Sequence, residues 1–126
     1  MIRPARPEDA DAIWGLLAEN GMLVDGLDYS DFTHPTLVYV REGEVVGMIQ
    51  ALAGKPHAVI THAAVARAYH HRGYGIRLLA SLELVLRTMG VTAWYACTPF
   101  DQTVKILERY GAQSTGQGIG FVRRLA

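Results

Sequence analysis

A strand that runs through a glycine-punctuated loop into a long amphipathic helix restricts the fold of this chain more than any other feature. The segment is VARAYHHRGYGIRLL, residues 65–79. Periodicity predicts the helix over GYGIRLLASLELVLRTMG, because Ile76, Leu79, Leu82, Val85, Leu86 and Met89 recur at three- and four-residue intervals and Gly90 closes it. Gly73 and Gly75 stand at its mouth, where the first backbone N–H groups of a helix have no internal partner. Such groups point outward with the helix dipole behind them, as a diphosphate site requires. Glycine also lets the backbone approach phosphate oxygens without a Cβ in the way. Arg72, with His70 and His71 if protonated, adds positive charge. A plain connecting turn needs glycine too, so both roles stand at this level. Two other phosphate motifs fail on detail. G-x4-G-K-[ST] is absent; G-x-G-x-x-G is broken by Leu78, and no acid ends the strand VTAWYAC.

The rest of the chain builds one mixed α/β domain, expected to span residues 1–126. Residues 1–4 form a short strand. PEDADAIWGLLAEN follows as a helix, with Pro7 and three acids in its first turns and Ala10, Ile13, Trp14 and Leu17 on one face. Residues 22–35 are irregular or hold one short helix. TLVYV and VVGMIQALA pair as a hairpin around a glycine turn, and HAVITHAAVA is the next strand. Thr98-Pro99-Phe100-Asp101 opens a helix with a threonine cap, and Val104, Leu107 and Tyr110 form its inner face. AQST and IGFVRRL close the chain as a hairpin. The order is β-α-(α)-β-β-β-α-β-α-β-β.

Composition excludes several classes. Twelve basic and twelve acidic side chains cancel, so no nucleic-acid or anionic-membrane partner is expected, since such binding rests on basic clusters. One cysteine forms no internal disulfide. No apolar run reaches the ~18 residues of a membrane helix, and the first residues lack the apolar stretch of a secretory leader. A cytoplasmic protein is the expectation. His70 and His71 lack a second Cys or His pair at ligand spacing, so no metal site is expected.

The element order, the VYVREGEVVGMI hairpin, and Val65 followed eight and ten residues later by Gly73 and Gly75 resemble the GNAT superfamily of acyl-CoA-dependent N-acetyltransferases. The likeness runs from IRPARPEDADAI to the final hairpin. It implies a mostly antiparallel sheet with helices on both faces, acetyl-CoA or another acyl-CoA as co-substrate, and a homodimer by family habit. It implies that the loop His70-His71-Arg72-Gly73-Tyr74-Gly75 holds the CoA pyrophosphate. It further implies that the strand ending at Val65 splays from VTAWYAC, so that pantetheine pairs with its free edge at Ala63 and Val65. The Val65 N–H then serves as the oxyanion donor.

Three residues depart from that family's pattern. His70 replaces an arginine or glutamine, and Phe100, in the expected cofactor wall, replaces an asparagine. Leu107 replaces the tyrosine that protonates the leaving thiolate. A CoA thiol needs little protonation near neutral pH, so the last change does not exclude activity. The attacking amine needs more help. An alkylammonium of ordinary pKa is neutral in only about one molecule in 2,500 at pH 7, a deficit of roughly 4–5 kcal/mol. His62 is the candidate base, with His57 and Tyr110 behind it, although alternation turns His62 away from Val65 unless a bulge intervenes, and a satisfied structural histidine is the other reading of that position. Cys97, at a strand end, reads as a packed residue.

The expected activity is direct attack of a primary amine on acetyl-CoA. A silent acyl-CoA- or protein-binding module of the same fold is the alternative, and an unrelated nucleotide-binding domain the third reading. On the acceptor side Asp25, Asp28 and Asp31 surround Tyr29 and Phe32, which suits a cationic amine through charge and π-face attraction. Aspartates that cap turns give the same pattern.

Overall fold

The two β-rich runs around Glu42-Gly43 pair as expected in the computed structural model, which describes residues 1–23, 34–98, 100–114 and 120–125. Both turn residues take positive φ, 52° and 80°, the backbone twist that joins antiparallel strands over a two-residue loop. The strands are β2 (Thr36–Arg41) and β3 (Glu44–Ala53). On one side β1 (Ile2–Pro4) pairs with β2; on the other, β4 (His57–Val65) pairs with β3. Next come β5 (Ala93–Cys97), β7 (Gly120–Arg124) and the edge strand β6 (Gln113–Ser114), completing the order β1-β2-β3-β4-β5-β7-β6. Among the described residues only β4 and β5 run parallel, and the helix α2 (Tyr74–Thr88) makes the crossover this requires.

Helices cover both faces of the sheet. On one, Leu78, Leu79, Leu82 and Leu86 of α2 and Ile106 and Leu107 of α3 (Asp101–Tyr110) pack against Ile49, Ile60, Ala63 and Trp94. On the other, Ile13, Leu16 and Leu17 of α1 (Ala10–Glu19) meet Val38, Met48 and Ala64. Burying each such side chain contributes roughly 1.5–3 kcal/mol, so these faces fix the sheet between its helices.

Several expectations shift. Pro7–Asp9 is a 3₁₀ turn ahead of α1, where the Asp9 carboxylate accepts from the Arg6 N–H and pairs with Arg3 at 2.7 Å. Trp14 does not face inward; it is 55% exposed, and Leu16 fills the core beside Ile13 and Leu17. The helix α3 begins at Asp101, with Phe100 extended at the cap position; the Thr98 hydroxyl accepts from the Phe100 N–H at 3.1 Å before the helix starts. Its fully buried residues are Thr103, Ile106 and Leu107; the expected Leu107 is among them, while Val104 and Tyr110 are half-buried against the same core. In β4 a bulge at Thr61 interrupts the register, since Gln50 opposes His62 while Ala51 opposes Ile60. The extra residue returns Ala63 to the face that already holds Ala58 and Ile60. No helix among the described residues is long and apolar enough to cross a membrane.

Candidate functional site

The strand β4 outruns its parallel neighbour. Pairing with β5 covers only His57 to Ile60, whereas β4 stays paired with β3 as far as Val65. Beyond Thr61 its other edge is open. Two carbonyls mark that edge. The Ala63 oxygen accepts from the Thr103 hydroxyl of α3 at 3.1 Å. The Val65 oxygen meets Asn20 Nδ2 at 3.1 Å and His70 Nε2 at 2.7 Å. A carbonyl only accepts, so the His70 proton sits on Nε2. Within a strand the N–H and C=O of one residue point the same way, so the Ala63 and Val65 N–H groups turn into this opening too.

From Val65 the chain passes through a 3₁₀ turn (Arg67–Tyr69) and the loop 70–73 into α2. His71 and Gly73 adopt left-handed backbone, φ 65° and 80°. No side chain caps α2, and its first internal bond runs from the Arg77 N–H to the Gly73 oxygen. The Tyr74, Gly75 and Ile76 N–H groups therefore have no partner inside the helix. They open on a cleft of about 360 Å³ between the loop, Val65, Asn20 and one face of α3. Among the described residues Arg67, Lys105 and Arg109 line it against a single carboxylate, Glu108, so these side chains favour an anion. The two glycines serve different ends. Gly73 answers its positive φ, with open space where a Cβ would lie, whereas a Cβ on Gly75 would meet Ile106 side-chain atoms at 2.7 Å. Gly75 lets α2 and α3 close on each other.

The expected cofactor residues Ala63, Val65, His70, His71, Gly73, Tyr74 and Gly75 thus lie around one slot and cleft. Arg72 turns away, its guanidinium 5.4 Å above the Tyr69 ring. His62 is buried on the α1 face of β4. The bulge precedes it, so alternation between positions 62 and 65 is unbroken and the two side chains face opposite ways. Its ring stacks on Phe100 at 6.4 Å between centroids. Burial lowers its pKa below the ordinary 6.5, leaving a neutral imidazole at pH 7.

Tyr110 does not line the cleft. Its hydroxyl donates to Glu83 at 2.7 Å, and burial followed by that carboxylate raises its pKa above the ordinary 10.0. Its proton is committed there. Leu107 is core, and His57 sits at the far end of β4 against Tyr95. Asp25, Asp28, Tyr29 and Asp31 lie outside the described residues, as does the Cys97 side chain. Among the described residues no group of three His, Cys, Asp or Glu is placed to hold a metal.

Sequence reasoning missed Asn20 and Thr103. Asn20 stood out only as a helix end, yet its amide reaches Val65. Thr103 had a signal, a threonine three and four residues ahead of Ile106 and Leu107 on a buried face.

The sequence model of the acetyltransferase (GNAT) family matches residues 7–112. No curated relative matches the sequence. Solved structures share the fold at low identity. A GNAT-family acetyltransferase from Staphylococcus aureus superposes with a TM-score of 0.82 at 13% identity, covering 100% of this chain and 99% of the other. The PaiA N-acetyltransferase of Thermoplasma acidophilum, in complex with coenzyme A, gives 0.78 at 14% identity over 97% and 95%. The N-acetylglutamate synthase of Neisseria gonorrhoeae, with coenzyme A and N-acetyl-glutamate, gives 0.82 at 22% identity, over 100% of this chain and 35% of that one.

Proposed function

The chain belongs to the GNAT acetyltransferase family, and from that premise we propose that it transfers an acetyl group from acetyl-CoA to a primary amine by direct attack in a ternary complex. One observation carries the proposal: the open edge of β4 leads directly to the uncapped N-terminus of α2. The N–H groups of Tyr74, Gly75 and Ile76 suit a pyrophosphate, with Arg67, Lys105 and Arg109 supplying long-range attraction. Ala63 and Val65 suit an extended amide chain, since an unpaired strand edge binds one as another strand would. The co-substrate supplies the activated acyl thioester.

The remaining work falls to the chain's own groups. The Val65 N–H stabilises negative charge on the thioester oxygen. The amine nitrogen forms the new bond to the acyl carbon, the C–S bond breaks, and the thiolate leaves without an acid. The amine's proton passes to the neutral His62 ring. The acceptor is a cationic amine, attracted by the acids of residues 25–31.

Acetyl-CoA at about a hundred times its dissociation constant is expected to add ~2.7 kcal/mol of stability, a melting shift of several degrees. Gly73→Val is expected to abolish the shift, because valine is strained at φ 80° and its side chain enters the phosphate approach. No shift in the wild type at millimolar acetyl-CoA overturns the proposal. A shift without thiol release across a panel of amines leaves a binding module instead.

A further inference from the structure

The phosphate loop is gripped at its two ends by an aromatic stack, whose Tyr69 and Tyr74 also stand in the cleft wall. Tyr69 stands just before residues 70–73 and Tyr74 just after, and their rings lie 5.7 Å apart at an interplanar angle of 21°. Tyr39 of β2 extends the stack, 4.3 Å from Tyr74 at 13°. Arginines complete it. Arg41 Nη1 donates to the Tyr74 hydroxyl at 2.5 Å while its guanidinium lies 5.7 Å over the Tyr69 ring. Arg72 covers Tyr69 at 5.4 Å, and Arg77 covers Tyr74 at 5.8 Å while donating to the Tyr39 hydroxyl at 3.1 Å. Among the described residues none of these three arginines pairs with a carboxylate. Their packing is committed to the tyrosines.

We propose that Tyr69 is a positioning residue, which by stacking on Tyr74 closes the two ends of the loop and preforms the phosphate-binding backbone before ligand arrives. The inference rests on the acetyl-CoA function proposed above. His71 is held at φ 65°, a conformation that a non-glycine residue keeps only where its surroundings over-determine it. The stack provides that constraint from the ends of the loop, and the His70 bond to the Val65 oxygen adds to it. A loop already in its bound shape loses less freedom on binding, so the stack raises affinity by holding the loop. Among the described residues the Tyr69 hydroxyl makes no hydrogen bond, so the ring face alone is required.

The test measures dissociation constants of CoA and of pantetheine, which lacks the diphosphate, for the full chain and its variants. Tyr69→Ala is expected to weaken CoA about tenfold, the scale of one aromatic pair, and to leave pantetheine unchanged. Tyr69→Phe is expected to bind CoA within about twofold of wild type. If Tyr69→Ala does not fold, Tyr69→Leu, half-way in bulk and without a ring face, carries the same comparison. Unchanged CoA affinity in the ring-less variant overturns the proposal, as does equal weakening of pantetheine or failure of phenylalanine to rescue. A wild type that binds no CoA overturns the underlying function as well, and is told apart by that control.

Discussion

Replacing His62 with alanine is expected to lower kcat/KM by about 10²–10⁴ at neutral pH while leaving acetyl-CoA affinity intact. The ring lies among apolar neighbours against Phe100, and burial alone lowers its pKa from 6.5. It is therefore ready to accept a proton without first losing one. The same burial has a consequence for stability, and its sign is fixed. Below pH 6.5 the unfolded chain binds a proton that the folded ring resists. The contribution is present above 6.5 and is lost as pH falls through the lower, folded value. Two readouts follow. The acid limb of the wild-type rate lies below pH 6.5, and His62→Gln melts with less dependence on pH in that range than wild type. A loss of rate below about threefold in His62→Ala assigns His62 to structure and the proton to water.

Glu83→Ala is expected to cost about 3 kcal/mol of stability, with acetyl-CoA affinity unchanged. Glu83 is a carboxylate set among the leucines of α2, 4% exposed. It accepts from Trp94 Nε1 at 2.9 Å, Tyr110 at 2.7 Å and Arg123 Nε at 2.6 Å. Removing it leaves a fully buried indole N–H without its acceptor and strands the other two donors beside it. The figure stays at the lower end for a broken buried pair because the Arg123 side chain is 35% exposed and regains water. Urea unfolding checks it. A loss under about 1 kcal/mol means that solvent reaches the vacated site.

What the sequence disclosed was local. The hairpin at Glu42-Gly43, the run of α2 and the glycine loop are each written in neighbouring residues, through turn geometry, periodicity and an uncapped helix end. What it concealed depends on pairing across distance. The bulge at Thr61 exists only against Gln50, and it decides which β4 side chains share a face. Tyr110 was legible as a tyrosine near the last helix's end, but its partner lies 27 residues away on α2. Thr103 of α3 was passed over because hydrophobicity alone ranks Val104 above it, whereas the buried Thr103 hydroxyl donates to the Ala63 oxygen. Likewise the Asn20 amide serves a strand 45 residues on, which no helix-end signal contains.

The short contact between β4 and β5 also divides the sheet as a load-bearing object. Four residue pairs join the antiparallel block β1–β4 to the block formed by β5, β7 and β6, fewer than join β2 to β3, β3 to β4 or β5 to β7. Force that pulls these two blocks apart falls on that seam, which α2 and α3 bridge from one face. A chain molecule laid in the gap would act as a suture, lengthening the seam where the protein's own ladder has stopped. Occupancy would then raise the force needed to part the two blocks.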